Sequence, residues 1–553
     1  MTGAVADEVS RASAQLAAFP TSKSVTANTS LLNVARATAR RLQSGRALRG
    51  SAHVKFCLSL LAPGEGVPEL TDFKQLLGRL PIDERHYWIG TLYTLLLPPK
   101  TRRDQATYFT PPYLAEAVID LVVEAGFDVA HHSALDPAAG GAAFLSTIVG
   151  RKLAAGVPVS RATSGLGGIE IDPGLAEISR ALIADRLGRP TLKELIAVTD
   201  ALSVPAKASY DLVIANPPYG RISPNDLPDT RWTNVAYSGH VNKYAVFADL
   251  SLRFAKKGGV VALIIPSSFR AGPLYDRLRA YLRSQGQVLV VGTVGSRNGI
   301  FADVAQDVSV IVIRKGNPHP PESLVSFPIL AIATPGETLR RILPSESKEP
   351  WPVPSSSDER RGGSRLADYG VELRAGYFVW NREGARLVQK AKPNVFPLIW
   401  AKNVKVGSFC LPAGKSGMKT DFVTFQGDSP AIIRAPAAVL QRTTNDKQPR
   451  RLVAAVVSPS VIRKWGGFVT ENHTIVVTGR TLAAVNLAVQ LLNTKAVDVR
   501  YRRLSGTAAV SVTLLRSLDL PPPDQFKIAL KQTGGDAEVA AEMAYTQDCR
   551  GSL

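Results

Sequence analysis

The stretch Asp211-Leu-Val-Ile-Ala-Asn216-Pro217-Pro218-Tyr219-Gly220 joins an apolar run to a turn that contains two prolines. Residues 212–215 predict a buried strand. The prolines fix φ twice and remove two backbone donors, so the strand ends at Asn216 and no helix starts there. In an open α/β sheet, ligands bind at the carboxyl ends of the strands, which places this rigid turn where a ligand would sit.

The chemistry of this turn suits the binding of a planar amine. An exocyclic amino group conjugated to a ring is a weak nucleophile because its lone pair is delocalised. The side-chain oxygen of Asn216 and the backbone carbonyl of Pro217 can accept its two N–H groups, Pro218 makes the turn rigid, and Tyr219 can stack on the plane. Such a site accelerates in-line displacement through positioning and electrostatics. A proline-rich surface turn with a capping Asn is the plainer interpretation.

Length, composition and charge bound the class of protein. The 553 residues predict two or three domains, and a hydrophobic content of 45% supports large cores. The formal net charge of +20 favours a polyanionic partner, with nucleic acid first and an anionic membrane surface second. A basic protein without such a partner is the alternative.

Cysteine usage indicates a reducing compartment, and hydropathy indicates no membrane-spanning segment. Cys57, Cys410 and Cys549 lie far apart without a Cys-x-x-Cys pair, which predicts neither a disulfide framework nor a zinc site. The first ten residues carry acids and no apolar core, so we expect no signal peptide. No apolar run reaches membrane-spanning length, and we therefore expect a cytoplasmic protein without membrane contact.

Three acids end the strands that precede the Asn216 turn. Asp136 is followed by a small-residue loop that includes Ala138 and Gly140, and this loop has neither the Gly-Lys-Ser/Thr of a phosphate loop nor a full dinucleotide fingerprint. Glu170 ends the next strand, where an acid can take both hydroxyls of a ribose. Asp200 ends the third and can accept from an adenine amino group. Four polar residues in register predict a nucleoside-binding crevice beside the amine-holding turn.

In order along the chain, Phe109-Thr110-Pro111-Pro112, Asp136-Pro-Ala-Ala-Gly-Gly-Ala-Ala-Phe144 and Asn216-Pro-Pro-Tyr219 resemble the motifs of the gamma-class N6-adenine DNA methyltransferases. The resemblance covers roughly residues 85–315. It implies a Rossmann-like α/β domain that uses S-adenosylmethionine as cofactor. From the residues alone, Thr110 is also a good helix N-cap with Pro111 as first helical residue.

The resemblance assigns roles by position. Thr110 and Asp136 would contact the methionine end of the cofactor, with Ile171 on its adenine ring. Phe301, before the final strand, would stack with Tyr219 on a flipped-out adenine, since an adenine amine inside a duplex is out of reach. One departure stands out. The family's Cys-Gly-Ser-Gly reads Ala139-Gly140-Gly141-Ala142 here; alanine adopts most of the required conformations, so we expect cofactor binding to survive, with a weaker affinity.

Composition divides the rest of the chain. We expect a helical N-terminal extension (1–100), a catalytic domain (101–330), a Pro- and Ser-rich linker (331–365), a mixed α+β domain (366–525) and a tail (526–553) that is helical or partly disordered. The fourth segment resembles a target-recognition domain, as do its residues 376–382 and 471–473. Its candidate DNA contacts are Arg442, Asn445, Lys447, Arg450 and Arg451. His473 alone predicts no metal site.

These observations predict a DNA adenine methyltransferase, with double-stranded DNA as partner and a restriction endonuclease for the same site as a possible second one. Catalysis should need no metal. A methyltransferase for RNA or protein glutamine is one alternative; the basic C-terminal domain and the early Thr-Pro-Pro motif argue against glutamine. A catalytically silent DNA-binding protein is the other, and the intact Asn216 turn argues against it.

Overall fold

The computed structural model describes residues 25–45, 50–63, 67–98, 109–190, 193–294, 307–331, 338–345, 349–351, 363–388, 394–411, 422–442, 450–505 and 509–547. The chain divides into two compact units. The first comprises Met1–Phe269 with Leu274–Glu349, and the second comprises Arg270–Pro273 with Pro350–Leu553. The boundary after residue 349 falls inside the predicted linker.

The first unit begins with a layer of helices, which we call the N-terminal layer. It contains α1 (Val25–Gly45), α2 (Gly50–Ser59), α3 (Thr71–Leu77) and α4 (Ile82–Leu96). Their apolar faces bury Leu31, Phe73, Trp88 and Leu92 together with Leu175, Ile178 and Leu182 of the helix that follows the second strand. Since the core is shared, the predicted extension is part of the first unit.

A doubly wound sheet forms the centre of the first unit. Among the described residues it has ten strands in the order β10-β8-β6-β7-β5-β4-β1-β2-β3, and β9 pairs with β6. The strands are β1 (Ala134–Asp136), β2 (Leu166–Glu170), β3 (Ile196–Val198), β4 (Tyr210–Ala215), β5 (Ala255–Pro266), β6 (Gly286–Val294), β7 (Val308–Lys315), β8 (Leu324–Phe327), β9 (Ile329–Leu330) and β10 (Leu339–Ile342). The predicted Rossmann-like α/β fold is confirmed.

The helices of the sheet follow local sequence signals. They are α5 (Pro112–Glu124), α6 (Ala143–Ala154), α7 (Pro173–Leu187), α8 (Lys243–Phe254) and α9 (Asp276–Gln285). The Asp172 side chain caps α7 by accepting from Leu175 N, Pro173 supplies the first helical φ, and Gly188 ends the helix at φ 64°. α5 begins at Pro112 with Pro111 as N-cap, so the prediction of a Thr110 cap is wrong.

Strand β4 is paired in parallel with β1 on one side and β5 on the other. β1 is in turn parallel to β2, and β2 to β3. All four carboxyl ends therefore meet at one edge of the sheet. β10, which is antiparallel to β8, extends the far side of the same sheet, so residues 339–342 of the predicted linker are a paired strand.

The second unit is mixed α+β, as predicted. Its strands are β11 (Val371–Ala375), β12 (Leu387–Val388), β13 (Val395–Ile399), β14 (Val404–Lys405), β15 (Ser408–Phe409), β16 (Phe422–Thr424), β17 (Ala437–Gln441), β18 (Ala454–Val456), β19 (Val469–Thr470) and β20 (Thr474–Gly479). Its helices are α10 (Trp380–Glu383), α11 (Pro459–Trp465), α12 (Leu482–Leu492), α13 (Lys495–Leu504), α14 (Val512–Arg516), α15 (Pro523–Gln532) and α16 (Ala537–Gln547).

The last two described helices, α15 and α16, belong to the core of the second unit. Phe526 and Ala529 of α15 and Ala540, Ala544 and Tyr545 of α16 are buried in one cluster with Val485 and Leu492 of α12. The Tyr545 hydroxyl donates to the Asp519 carbonyl at 2.9 Å. Residues 526–547 are therefore an integral part of this unit, which corrects the prediction of a separate tail.

Candidate functional site

A cavity of about 490 Å³ opens at the carboxyl edge of the sheet. Glu170, Asp200 and Asn216 all line it, although they come from three different strands. Ala138, Gly140 and Ile171 do so as well, and the side chain of Ile171 is 63% exposed. The volume lies within the range of small-molecule sites. The structure thus brings together most of the residues that the sequence singled out.

Glu170 is held by the backbone around it. Its carboxylate accepts from Gly140 N and from Asp172 N, both at 2.9 Å. Burial raises the pKa of this carboxyl, while the backbone N–H groups of Asp172 and Gly140 act against the rise. Each carboxylate oxygen has a second lone pair, so the group can accept further hydrogen bonds from a ligand in the cavity.

Asp200 caps the short 3₁₀ turn Ala201–Ser203. Its side chain accepts from Leu202 N at 3.0 Å, which leaves acceptor capacity on a carboxylate that lines the cavity. The cap fixes the direction of the side chain. Glu170 and Asp200 follow two adjacent strands and line the same cavity, as the sequence predicted; their contact with a nucleoside stays a prediction.

Asp136 is the most deeply buried acid of the site. It is 2% exposed, and its carboxylate accepts from Ala138 N at 3.0 Å. Burial raises the pKa of Asp136 from 3.8 to about 8, the hydrogen bond from Ala138 lowers it, and the charge of Glu170 raises it further. Asp136 does not line the cavity, whereas the next two residues, Pro137 and Ala138, do.

This raised pKa predicts a pH-dependent stability. The folded protein holds an extra proton on Asp136 between about pH 4 and pH 8, so the free energy of unfolding falls as the pH rises through that window. The fall is at most about 1.4 kcal/mol per pH unit. Asp136→Asn, which carries no charge at any pH, should lack this contribution when unfolding in urea is followed across the window.

A matched control is Asp524→Asn, since that side chain is 89% exposed. It should keep the pH dependence of the wild type. Parallel stability curves for the wild type and Asp136→Asn would contradict a raised pKa at this carboxyl.

The Asn216 side chain is fixed on both sides. Its Nδ2 donates to Thr110 Oγ1 at 3.2 Å, and its Oδ1 accepts from the Tyr219 hydroxyl at 2.8 Å. The same hydroxyl lies 3.2 Å from the carbonyl oxygen of Ile264. Burial raises the pKa of Tyr219 well above its ordinary range, so it remains a neutral donor. The carboxamide is oriented with one lone pair of Oδ1 still available.

The sequence did not indicate these contacts. Thr110 was expected at the cofactor, and in the structure its hydroxyl is a partner of Asn216 and its side chain lines a separate pocket of about 20 Å³. Tyr219 was expected to stack on a base, and its ring packs edge-on against Tyr244 with centroids 6.5 Å apart. Both predicted roles stay predictions, to which the structure adds the orientation of Asn216.

The loop after β1 contains Ala139-Gly140-Gly141-Ala142, where the sequence departs from the Cys-Gly-Ser-Gly motif. Gly140 has φ 51°, and Ala142, at the N-cap of α6, has φ 53° and ψ 30°. A Cβ in this left-handed region clashes with the backbone and costs about 1–2 kcal/mol. Ala142 therefore adopts the conformation that a glycine would adopt without cost. Alanine therefore adopts the conformation required here only at the cost of strain, and the expectation that cofactor binding survives stays a prediction.

Ala142→Gly should relieve the strain. Part of the gain is offset by the larger backbone entropy of glycine in the unfolded chain, so we expect a net stabilisation of about 0.5–1 kcal/mol. Thermal and urea unfolding measure it. Ala138→Gly in the same loop is the control, because Ala142 and Asn394 are the described non-glycine residues with positive φ. Ala138→Gly should be neutral or destabilising, and an equal gain from both variants would contradict the strain.

Other residues complete the cavity without a signal in the sequence. Ile222, Asp226, Lys243 and Phe247 lie on its far side, after the Asn216 turn and on α8. Phe109 lines the near side. Their positions depend on how the chain returns from the turn to the sheet, which no motif specifies. Phe301, predicted to stack on the target base, lies outside the described residues.

In the second unit, the two segments that resemble parts of a target-recognition domain, residues 376–382 and 471–473, contact each other. Phe378 N donates to Thr470 O, and Asn472 N donates to Phe378 O at 2.9 Å, which joins residues 376–382 to residues 471–473. The Glu471 side chain is 3% exposed and accepts from both the backbone N–H and the Nδ1 of His473. His473 is thus oriented by a buried carboxylate, with its Nε2 on the opposite side of the ring.

The candidate DNA contacts have different fates. Arg442 is half-buried, and its guanidinium donates to the Asn472 carbonyl at 3.2 Å. Arg450 pairs with Glu538 and donates to the Asn493 carbonyl, and Arg451 is 2% exposed. Arg451 is too buried to reach a phosphate, so the structure corrects the prediction for this residue. The side chain of Arg450 is 30% exposed, and its role as a DNA contact stays a prediction. Asn445 and Lys447 lie outside the described residues.

Residues 189–301, which include Asp200 and the Asn216 turn, match the Eco57I restriction-modification methylase family. The type II methyltransferase M.PstI of Providencia stuartii is 23% identical over 343 residues, 58% of this chain and 66% of that protein. The chain is similar to type II restriction–modification methyltransferases. M.BsuBI of Bacillus subtilis is also 23% identical, over 59% of this chain and 68% of its own length.

These alignments leave about a third of each type II methyltransferase unmatched. Among solved structures, the type IIL restriction-modification enzyme MmeI in complex with DNA is 12% identical with a TM-score of 0.47, over 88% of this chain and 79% of that one.

The described residues contain neither a candidate metal centre nor a candidate membrane span. No group of three or more His, Cys, Asp or Glu side chains in them has the geometry to hold a metal ion. None of the helices in that part of the chain is both long and apolar enough to cross a bilayer.

Proposed function

We propose that this chain is a site-specific DNA methyltransferase that transfers a methyl group from S-adenosylmethionine to N6 of an adenine. The observation that carries the proposal is the shared cavity. Asn216, oriented by Thr110 and Tyr219, opens into the same space as Glu170 and Asp200. The similarity to type II restriction–modification methyltransferases supports it.

The residues of the cavity fit the cofactor. Glu170 has acceptor capacity for ribose hydroxyls, Asp200 for an adenine amino group, and the exposed Ile171 side chain offers an apolar surface to the adenine ring. Asp136, when ionised, would favour the positive charge of the methionine end. The cofactor would supply the electrophilic methyl group.

The Asn216 turn would bind and orient the amine. One lone pair of Asn216 Oδ1 accepts from the Tyr219 hydroxyl, and the other is free to accept from an N–H of the target. The Pro217 carbonyl would accept from the second N–H, and the turn holds it rigid. As the nitrogen forms its bond to carbon it becomes positive, so these acceptors bind it more strongly in the transition state than in the ground state. The proton then leaves to solvent.

Adenine in duplex DNA is the substrate class that best combines these features. The nucleobase would be flipped out of the stack to reach the turn, and Tyr219 and Phe301 would pack against it. The formal charge of +20 favours a polyanion over a glutamine side chain. A restriction endonuclease for the same site is the expected functional partner. RNA methylation is the second candidate, and comparison of duplex DNA with structured RNA as substrates separates the two.

The decisive experiment is modified-base sequencing of DNA from a methylation-free host that expresses the protein. We expect N6-methyladenine confined to one short motif. Asn216→Ala should abolish it, with an in vitro rate about 100-fold lower or more, because the lost interaction acts mainly in the transition state. The affinity for S-adenosylhomocysteine should stay within about 2-fold of wild type, which excludes misfolding.

Two outcomes would count against the proposal. Unchanged turnover in Asn216→Ala would show that the Asn216 side chain does not bind the amine. A wild-type protein that modifies RNA from the same cells but no DNA would establish the second candidate instead.

The second unit offers a surface for DNA. Tyr377 and Trp380 are each 50% exposed next to the junction of residues 376–382 with 471–473, and Arg382 is exposed beside them. The guanidinium of Arg386 lies over the Phe425 ring at 4.8 Å, and that ring contacts Tyr377. Exposed arginines among aromatic side chains are typical of nucleic-acid contacts.

Arg382→Ala should therefore weaken DNA binding and reduce the slope of log affinity against log salt concentration by about 1. Lys527→Ala is the control, since Lys527 is an exposed cation of α15 that pairs with Asp524 at 3.0 Å. Fluorescence anisotropy with a labelled duplex at several salt concentrations measures both. Equal slopes for Arg382→Ala and the wild type would exclude this surface from phosphate binding.

A further inference from the structure

One aromatic ring joins the N-terminal layer to the cofactor cavity. Phe109 is 7% exposed, belongs to the hydrophobic core of the N-terminal layer, and also lines the cavity. The Cδ1–Cε1–Cζ edge of its ring lies against two glycines, Gly90 of α4 and Gly141 of the loop after β1. A Cβ at either glycine would overlap the ring. The ring therefore fits between the two backbones because neither position carries a side chain.

This contact accounts for the glycine at position 141 of the altered loop. The loop has its second glycine at position 141, where the Phe109 ring needs the space, and an alanine at position 142, where the backbone is left-handed. Gly140, next in the loop, donates its N–H to Glu170 and its carbonyl accepts from Ser179. A shift of Gly141 would thus move a group that orients the Glu170 carboxylate.

A second contact connects the same two parts. The Tyr93 hydroxyl of α4 donates to Asp172 Oδ1 at 3.1 Å, and Asp172 N donates to Glu170 at 2.9 Å. A Cβ on Gly174 would lie 2.7 Å from Val54 Cγ2 of α2, so the layer and α7 approach closely here too. The N-terminal layer therefore contacts the Asp172 side chain on one side of the Glu170 carboxylate, and the Phe109 ring packs on Gly141 on the other.

We propose that Phe109, inserted between Gly90 and Gly141, is a positioning residue that makes the N-terminal layer part of the cofactor site. The ring holds the loop after β1 at the distance at which Gly140 and Glu170 form the cavity wall. Thr110, the next residue, holds Asn216, so the short segment that carries Phe109 contacts both halves of the site. The inference rests on the proposed function, because it assigns the cavity to S-adenosylmethionine.

Gly90→Ala tests the inference from a position outside the cavity lining. Alanine has the higher helix propensity, so within α4 alone the change would stabilise. A Cβ at this position displaces the Phe109 ring toward the loop, and we expect the dissociation constant of S-adenosylhomocysteine to rise about 10-fold, by calorimetry. The matched control is Gly78→Ala in the same layer, where a Cβ would meet its nearest atom at 3.5 Å. This control should bind as the wild type does.

The double variant identifies the ring as the cause. Phe109→Ala removes the overlap, so adding Gly90→Ala to Phe109→Ala should change the dissociation constant by less than about 2-fold. Phe109→Ala alone should raise KM for S-adenosylmethionine while the affinity for duplex DNA stays unchanged. Loss of folded protein would instead lower cofactor binding and DNA binding in proportion. If Gly90→Ala does not fold, the measurement on Phe109→Ala decides.

Three results would overturn the inference, and they differ from failure of the proposed function. Positioning by Phe109 is rejected if Gly90→Ala binds S-adenosylhomocysteine as tightly as the wild type does. It is also rejected if Gly90→Ala has an undiminished effect in the Phe109→Ala background, or if the affinities for cofactor and DNA change equally. Absence of S-adenosylhomocysteine binding in the wild type rejects the proposed function and the inference together.

Discussion

The parallel register of β3, β2, β1 and β4 is the constraint on which the site depends. Pairing of Ala134 with Leu166 on one side and with Leu212 on the other aligns strands that are widely separated along the chain. Parallel pairing places every carboxyl end at the same edge, so the acids and the Asn216 turn converge there. A shift of one residue would move each side chain to the other face of the sheet and dissolve the cavity.

The same convergence creates an electrostatic problem. Asp136 and Glu170 are both buried, and burial raises the pKa of each carboxyl; the charge of Glu170 raises the pKa of Asp136 further, and the charge of Asp172 raises that of Glu170. Backbone N–H groups from the loop after β1 and from Asp172 oppose these rises and also fix the direction of the carboxylates. The site therefore holds acids whose anionic forms are destabilised by burial. Burial of these carboxyls lowers the stability of the fold, and such strained groups are typical of functional sites.

Sequence reasoning succeeded where the signal is local. Apolar runs followed by an acid or by Asn216 identify strand ends, because strand, turn and ligand position are coupled within a few residues. Contacts between distant segments were missed for the opposite reason. Thr110 and Asn216 are 106 residues apart, and neither residue type specifies the other as partner. Arg451 reads as a surface cation by composition, yet Asp498 accepts its backbone N–H in a buried site. The sequence gives the number of charged side chains, whereas the fold determines which of them are exposed.

The loop after β1 shows how two departures from a motif can be one physical change. A ring between two backbones requires a glycine on each side, and Gly90 and Gly141 meet that need. The left-handed N-cap of α6 also favours glycine, and Ala142 accepts about 1–2 kcal/mol of strain there. The packing of Phe109 contributes buried apolar contact on the scale that offsets such strain, since a buried Phe side chain is worth about 1.5–3 kcal/mol. The geometry of the loop therefore depends on the N-terminal layer as well as on its own glycines, and its affinity for a ligand should depend on Gly90, which lies outside the cavity lining.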